Sequence, residues 1–579
     1  RIMLEKIILR NKKNDSWRIF SSPKEVLYSN YLHEVKTILD KVESKINENN
    51  DIAVGFLTYE SAPAFDPAYR VNKESKLPLI CFGLFEGFKE TQILDNSEII
   101  TNKIYNWKIE TSPSEYKKNF DYIKNQIELG YTYQINYTLR SHSESIQNPY
   151  EFFLEKAKNS PFAAYIETDE SIIISASPEL FFSLENKRLF CKPMKGTSRR
   201  GKTFEEDLIL MDALRASKKN KAENIMITDM LRNDMGRISK PGSVKVSSKY
   251  DIEKYSTVWQ MTSSVESETI ASITEIFQAL YPCASVTGAP KIASMDIISR
   301  IEELPREIYT GAIGYIAPNR EAEFSVPIRT VVSDKNKNCA VYGTGGGIVW
   351  DSVWESEWDE CLTKSKVLSV KDSSDFELFE TMKWDTDSGV FLEEYHFNRL
   401  KDSASYFDFK LCDVRVKEII DETIRNISNN LCVIRLFVNA KGGIRIETSE
   451  VPVFIKNQKY TVSLAKNPVQ SEDIFLYHKT TQREVYENAE GENLHSDDVI
   501  LWNEEGNLTE STIANIILNI EGNWVTPSTN CGLLRGVYRE SMLENGLIEE
   551  RKIHKSEIAD LSEITLINSV RGEFKAKLI

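Results

Sequence analysis

Pro193-Met194-Lys195-Gly196-Thr197 sets a lysine between a proline-shaped turn and a glycine. An amine that is buried in such a place loses its proton easily and becomes a nucleophile. Slightly upstream, Ser171-Ile-Ile-Ile-Ser-Ala-Ser177-Pro178-Glu179-Leu-Phe-Phe182 reads as a strand with a carboxylate near its end. An amine and a carboxylate from neighbouring elements can thus face one site. A lone lysine in a turn is equally at home in solvent, so the pentapeptide takes its meaning from the rest of the chain.

With 579 residues the chain has room for more than one domain and an ample core. A net charge of −15 argues against nucleic acid and anionic membranes as partners. No apolar run approaches the roughly 20 residues that span a bilayer, and Arg1-Ile-Met-Leu-Glu5 does not read as a signal peptide. The eight cysteines are scattered without a C-x-x-C, which fits a cytoplasmic protein with neither a disulfide frame nor a zinc site. The six histidines form no H-x-x-x-H or H-E-x-x-H pattern, so any metal here is expected to be a hard ion held by carboxylates.

Helical and strand patterns interleave throughout. Ser112-Pro113-Ser-Glu115 has the form of a capping box, Tyr116, Phe120, Ile123 and Ile127 follow at helical spacing, and Gly130 closes the helix. Tyr133 to Leu139 is rich in strand formers. Asn47 to Asp51 reads as a solvated loop. Tyr342-Gly-Thr-Gly-Gly-Gly-Ile-Val349 precedes a charged helix that ends near Leu368. Lys371-Asp-Ser-Ser-Asp375 is short and polar, and a fresh strand, Phe376 to Trp384, comes after it. These features divide the chain into residues 1–371 and 372–579, both of mixed α/β (α+β) character.

Four positions of the first half suggest an acidic site. Glu223 opens the helical stretch that runs to Asp234, and Glu357, Glu360 and Lys364 fall at i, i+3 and i+7 on one helical face. Carboxylates one turn apart can share an octahedral cation that also takes a substrate's carboxylate, although an isolated E-x-x-E is usually a solvated face. Glycines 345 to 347 let backbone N–H groups approach an anion, and Arg329 can bind a carboxylate in a bidentate way. Together they outline a pocket for a small dianion bound through Mg²⁺.

Here the order of blocks resembles the chorismate-utilising enzyme family over roughly residues 50–368. The blocks are Gly55-Phe-Leu-Thr-Tyr-Glu60, Tyr133-Gln-Ile-Asn136, Ser177-Pro-Glu179, Pro193 to Thr197, Glu223-Asn-Ile-Met, Leu231-Arg-Asn-Asp234, Ser285-Val-Thr-Gly-Ala-Pro-Lys291, Tyr309-Thr-Gly-Ala-Ile-Gly314, Ile328-Arg-Thr330 and Gly345-Gly-Gly-Ile348. In that family the residue before Gly-Thr divides activities: anthranilate and isochorismate types usually carry alanine, aminodeoxychorismate-forming members lysine, as Lys195 here. The resemblance implies an α/β sandwich of large antiparallel sheets and Mg²⁺ held through Glu223, Glu357 and Glu360. It implies Glu179 as the acid that protonates the departing 4-hydroxyl and Lys195 as a nucleophile that adds at ring C2 before ammonia enters at C4. Thr197, Tyr309, Arg329 and Lys364 would hold substrate carboxylates, and Gly345 and Gly347 would donate N–H groups. Two positions depart from the pattern: Gln260 stands where many members have histidine, and Asn220 where some carry a further acid.

In the second half, Lys479 sits in Leu476-Tyr-His-Lys-Thr-Thr481 and Glu510 in Asn507-Leu-Thr-Glu-Ser-Thr-Ile-Ala-Asn515. A lysine to carry the cofactor and an acid for its ring nitrogen are what pyridoxal phosphate asks of a protein. Leu533-Leu-Arg-Gly536-Val537-Tyr538 offers N–H groups at a helix start for a phosphate, and Arg399 a cation. Phe379-Glu-Thr-Met, His396-x-x-Arg399-Leu, Val433-Ile-Arg-Leu436, Lys479-Thr-Thr, Leu508-Thr-Glu510, Asn515-Ile and Ile567-Asn-Ser569 resemble the class IV (fold-type IV) aminotransferases, which include 4-amino-4-deoxychorismate lyase. That resemblance implies two α/β subdomains and a family that usually dimerises, so a homodimer through this domain is an expectation. Lys479 would carry the cofactor and shuttle the proton, and Glu510 would pair with its ring nitrogen. Arg399, the N–H groups of Val537 and Tyr538, and Ser569 would hold its phosphate. Arg571 is a candidate for the substrate carboxylate.

Fusion of the two halves implies successive steps of folate synthesis: chorismate and ammonia to 4-amino-4-deoxychorismate, then to p-aminobenzoate and pyruvate. No glutaminase block with a nucleophilic cysteine elbow is seen, so a separate glutamine amidotransferase subunit is expected to supply ammonia. The alternatives are an anthranilate- or isochorismate-type synthase joined to an amino-acid aminotransferase, or a binding protein that has lost its chemistry.

Overall fold

The computed structural model describes residues 3–72, 75–92, 94, 105–366, 376–452, 460–559, 561 and 563–579. The expected linker Lys371–Asp375 lies outside these residues. Two compact units emerge, one of residues 1–198 and 213–372, the other of residues 199–212 and 373–579. The stretch Arg199–Asp212, inside the first expected domain by sequence, packs with the second unit.

The first unit contains two ten-stranded sheets. In one, Gln134–Ser143 pairs antiparallel with Cys339–Ile348, which continues through Thr330–Asp334 and Ser171–Ser177 toward Leu4–Asn11. The other has Met194–Arg199 at one edge, beside Val258–Glu268, and extends through Leu180–Glu185 and Glu321–Ser325 to Ile52–Leu57. Lys195 therefore sits on an edge strand and not in a turn, and Gly196, at φ +99°, supplies the backbone conformation that a side chain would resist.

Apolar alternation drives both sheets inward. Phe181, Phe182, Phe277, Tyr281 and Phe324 form an aromatic cluster with edge-on and tilted contacts, such as Phe277 against Phe324 at 5.0 Å between ring centroids. The helix Ile273–Leu280 that feeds this cluster is fixed at its start by the reciprocal Ser272–Glu275 capping box, worth about 1 kcal/mol. Ser112 caps the Pro113–Glu128 helix by accepting from Glu115 N at 3.2 Å. The expected loop at Asn47–Asp51 instead completes the Leu32–Asn49 helix, which ends where Asn50 turns left-handed at φ 57°.

A buried arginine ties this core to the glycine-rich sheet. Arg306 donates to both Glu302 oxygens at 2.7 and 2.8 Å, to Val286 O and to Asn136 O, each at 2.7 Å. Removing one partner of such a buried pair costs about 3–5 kcal/mol, and the strand that would move is the one carrying Gln134 and Asn136.

The second unit contains a four-stranded antiparallel sheet and an eight-stranded mixed sheet. In the former, Phe379 and Thr381 lie opposite Phe437 and Arg435 on one face. Leu378, Met382, Ile434 and Leu436 pack into the core from the other. In the eight-stranded sheet Thr461–Leu464 runs parallel to both its neighbours, Asp498–Trp502 and Gly572–Leu578.

Candidate functional site

A cavity of about 160 Å³ in the first unit gathers Glu179, Lys195, Thr197, Glu223, Tyr309, Arg329, Gly345, Gly347, Glu357, Glu360 and Lys364. Its floor is the glycine strand. Gly343, Gly345 and Gly347 share a face, and side chains from other elements occupy the room that a Cβ would take. A Cβ on Gly343 would lie 2.6 Å from Tyr309 Cγ. One on Gly345 would lie 2.7 Å from the Tyr137 carbonyl oxygen, 3.1 Å from Asn136 Nδ2 and 3.2 Å from Tyr309 OH. One on Gly347 would lie 2.8 Å from both Lys195 Nζ and Gln134 Nε2. Gly346 faces the other way, toward Glu357. The Gly345 carbonyl accepts from Lys364 Nζ at 2.8 Å. Because the N–H and C=O of one strand residue lie on the same edge, the N–H groups of Gly345 and Gly347 also point away from the Gln134–Ser143 strand.

Gly347→Ala is therefore expected to displace the tip of Lys195 while leaving the fold in place, since both crowded atoms end flexible side chains. Turnover at this site should fall about 10–100-fold, the order that a misplaced catalytic group costs, with little change in melting temperature. A variant that turns over at the parental rate would remove Gly347 from this role.

Electrostatics separate the two proton-handling groups. Burial lifts the Glu179 carboxyl to about 7, partly offset by the Ser285 hydroxyl, which donates at 2.6 Å, and by Lys195. Burial also holds the Lys195 ammonium below its ordinary value; Glu223 opposes this and Lys364 adds to it. Burial thus moves the acid and the amine toward each other, the carboxyl upward and the ammonium downward. Arg329 adopts φ +52°, uncommon for any residue but glycine, and among the described residues its guanidinium has no hydrogen-bond or ion-pair partner. Burial depresses its pKa. A buried arginine left free in a cavity is a receptor for a carboxylate. Thr197 and Gln260 hydrogen-bond each other, the Gln260 Nε2 donating at 3.0 Å, so the glutamine that replaces the usual histidine orients the threonine hydroxyl.

The carboxylates expected to hold a metal line the same cavity but do not close a shell. Among the described residues no group of three or more His, Cys, Asp or Glu converges as a metal-ligand set. Glu357 accepts from Ser352 Oγ at 2.6 Å, and Glu360 is paired with Lys364 at 2.6 Å. Glu360 and Lys364 stand one helical turn apart, so the ammonium pairs with that carboxylate. The donors still suit a hard ion, being oxygen only. Burial raises Glu223 and Glu357, and Glu360 adds repulsion to both, a cost that a dication relieves.

The second unit contains a larger cavity, about 520 Å³, lined by Arg399, Lys479, Glu510, Val537, Tyr538, Ser569 and Arg571 among others. Lys479 lies on an extended segment bonded to the Leu378–Asp385 strand, where Phe379 N donates to its carbonyl at 3.1 Å. Its Nζ stands 4.6 Å over the Phe379 ring. Burial and then Arg399 bring its pKa down to about 7. Across the cavity, Glu510 accepts from Tyr486 OH at 2.8 Å, Leu534 N at 3.1 Å and Asn515 Nδ2 at 3.3 Å, while burial raises its carboxyl to about 7. Val537 and Tyr538 open the Val537–Glu544 helix behind Gly536, where a Cβ would collide with Asn515 Oδ1 at 1.9 Å. Arg399 is held by Glu380 through Nε at 2.8 Å and Nη2 at 2.6 Å, and its Nη1 reaches Arg535 O at 3.2 Å. Burial would raise the Glu380 carboxyl, but Arg399 and the His396 ring at 2.6 Å outweigh it and bring it down to about 2. A lysine whose pKa falls to about 7, an acid in the same cavity, N–H groups behind Gly536 and a fixed guanidinium fit pyridoxal phosphate. Arg571 lines the cavity with its guanidinium 5.7 Å from the Tyr460 and Phe574 ring centroids.

Sequence reasoning missed Lys219, Gln134 and Ser285 in the first unit and Glu380, Tyr486 and His478 in the second. The parity of Gln134 with Asn136 on one strand face was the available signal for Gln134. For the others, partners distant in sequence left none.

Both sites have counterparts in known families. Residues 96–369 match the chorismate binding enzymes, and residues 377–579 the class IV amino-transferases. Each match covers less than half of the chain, and the two follow one another on a single polypeptide. Aminodeoxychorismate synthase component 1 of Bacillus subtilis is 38% identical over 247 residues, 42% of this chain and 52% of that protein. Aminodeoxychorismate synthase of Streptomyces griseus is 36% identical over 262 residues, 44% of this chain and 35% of that protein. Anthranilate synthase component 1 of Aquifex aeolicus is 35% identical over 267 residues, 45% of this chain and 54% of that protein. The chain thus spans about half the length, or less, of these curated relatives. The crystal structure of anthranilate synthase component I from Streptococcus pneumoniae shares the fold at a TM-score of 0.51 and 22% identity, over 64% of this chain and 92% of that one. Among the described residues no helix is long and apolar enough to cross a membrane.

Proposed function

We propose that the chain converts chorismate and ammonia to p-aminobenzoate and pyruvate in two steps, one in each unit. The observation that carries this reading is the lysine amine over the glycine strand, opposite an acid that keeps its proton near neutrality. Lys195 Nζ adds to ring C2 of chorismate, the ring double bonds shift, and the C4–O bond breaks as Glu179 gives its proton to the departing hydroxyl, which leaves as water. Ammonia then forms the C4–N bond, the double bonds shift back, the C2–N bond to Lys195 breaks, and the surplus proton returns to Glu179. One difficult displacement becomes two allylic ones. Arg329, Tyr309, Thr197 and Lys364 orient the two carboxylates, with N–H groups of Gly345 and Gly347 beside them. Mg²⁺, held by Glu223, Glu357 and Glu360, would supply positive charge at the ring carboxylate.

In the second unit, pyridoxal phosphate would supply an electron sink for the carbon that loses its proton. Arg399, Ser569 and the N–H groups of Val537 and Tyr538 would hold its phosphate, and Glu510 would pair with its ring nitrogen. Lys479 Nζ carries the cofactor and then removes the C4 proton of the aminated ring. The electron pair expels the enolpyruvyl oxygen from C3, and the ring becomes aromatic. Ammonia comes from a separate glutamine amidotransferase subunit, the second unit forms a homodimer, and the protein works in the cytoplasm, where its free thiols persist.

Incubation with chorismate, Mg²⁺, ammonium and pyridoxal phosphate is expected to yield p-aminobenzoate and pyruvate in equal amounts by mass spectrometry. Anthranilate or salicylate as the aromatic product would overturn the reading in favour of an anthranilate- or isochorismate-type synthase joined to an aminotransferase.

A further inference from the structure

The segment Arg199–Asp212 closes on itself before it meets the rest of the second unit. Arg200 grips Asp207 with Nε to Oδ1 at 2.8 Å and Nη2 to Oδ2 at 2.8 Å, and Gly201 N donates to Asp207 Oδ1 at 2.8 Å. The pair is nearly sealed from water, at 7% and 1% side-chain exposure. A Cβ on Gly201 would fall 2.2 Å from Asp207 N, so the loop admits only glycine there. Residues 200–203 lead into the Phe204–Ala216 helix, and several contacts of this segment run outward.

Those contacts reach three elements that frame Lys479 and the phosphate cradle. On the Glu393–Phe407 helix, which carries Arg399, Tyr406 O accepts from Arg200 Nη2 at 2.9 Å. The Tyr406 hydroxyl returns a bond to Gly201 O at 2.6 Å, and the Arg200 guanidinium lies 4.5 Å over its ring. Beside Lys479, His478 is held between Tyr406 and Phe407 at 4.4 and 4.8 Å between ring centroids. Burial brings its pKa down to about 4, so the ring is neutral. Its Nε2–H donates to Lys202 O at 2.9 Å, and its Nδ1 meets Ser403 Oγ at 2.9 Å. At the turn before Gly536, Arg535 Nη1 reaches Glu205 at 3.3 Å while its own carbonyl accepts from Arg399.

We propose that Arg199–Asp212, encoded within the first half, is a positioning element of the second site. It fixes the tautomer and plane of His478, and so the backbone that presents Lys479, and it braces the helix that presents Arg399. The inference rests on the reading of that cavity as a pyridoxal phosphate site.

Arg200→Ala and Tyr406→Phe in the full chain test it, with cofactor titration followed by visible absorbance across pH. Arg200→Ala is expected to weaken cofactor binding about tenfold and Tyr406→Phe about threefold, the scale of lost buried hydrogen bonds. Both should move the pH midpoint of the bound cofactor's absorbance, a property that a merely structural brace far from Lys479 would leave alone. Tyr406→Phe keeps the ring packing, so it reports even where Arg200→Ala folds poorly. Parental affinity and an unmoved midpoint in Tyr406→Phe would overturn the inference. A parental protein that takes up no pyridoxal phosphate would instead overturn the reading beneath it.

Discussion

Replacing Lys195 by alanine is expected to lower amine formation from chorismate at least about a thousandfold, the scale seen when a covalent nucleophile is removed. That factor corresponds to about 4 kcal/mol of lost transition-state stabilisation. Lys364, which lines the same cavity, is held by Glu360 at 2.6 Å. The variant should still bind pyridoxal phosphate with parental absorbance, which separates lost chemistry from lost fold. The parental rate carries its own signature. Glu179 must hold its proton, so with its carboxyl near 7 the rate should decline as pH rises through that value. Lys195 must be uncharged, and its depressed pKa extends the usable range downward from the ordinary lysine value. Steady-state kinetics with ammonium from pH 6 to 9 (~3 units, enough to span both limbs) would test this, and a Lys195→Ala enzyme with parental turnover would remove covalent catalysis altogether.

Lys479→Ala is expected to abolish the visible absorbance of the bound cofactor and to stop p-aminobenzoate formation, again by about a thousandfold or more, while 4-amino-4-deoxychorismate accumulates. An amine whose pKa has dropped to about 7 is substantially unprotonated at neutral pH, the form that carries the cofactor and removes a proton. The sign follows: cofactor loading in the parent should weaken as pH falls below that value. The cause is burial first and the Arg399 charge second. Mass spectrometry of the reaction mixture reads the accumulating intermediate directly. Equal p-aminobenzoate yields from variant and parent would withdraw the second-unit assignment.

How far these sites could be read in advance depended on where their partners lay. Lys195, Glu179, Arg329 and the glycine strand sit in short ordered blocks, and the structure gathers them in one cavity. Lys479, Glu510, Arg399 and Val537 were legible for the same reason. The glycine strand's parity could have been foreseen from period-two geometry; what its missing side chains make room for could not, since Tyr309, Asn136 and Lys195 arrive from three other elements. The carboxylate shell shows the converse. Helical spacing correctly put Glu357, Glu360 and Lys364 on one face, and that same adjacency lets Lys364 neutralise Glu360. Asn47–Asp51 was misread because polar residues near a helix end look like a loop until the left-handed Asn50 shows where the helix stops. Assignment of Arg199–Asp212 to the second unit had no local signal: Tyr406 and His478 are about two hundred positions or more away in the chain.

The discontinuous second unit bears on how such an enzyme could be taken apart or rebuilt. A gene severed at the codon for residue 373 would yield a product that lacks the segment packed around Arg200 and Asp207. His478 would then present an unpaired ring nitrogen where Lys202 O had been. Excision therefore exposes a raw surface beside the cofactor lysine, and a free-standing version would need a replacement sequence to cover it.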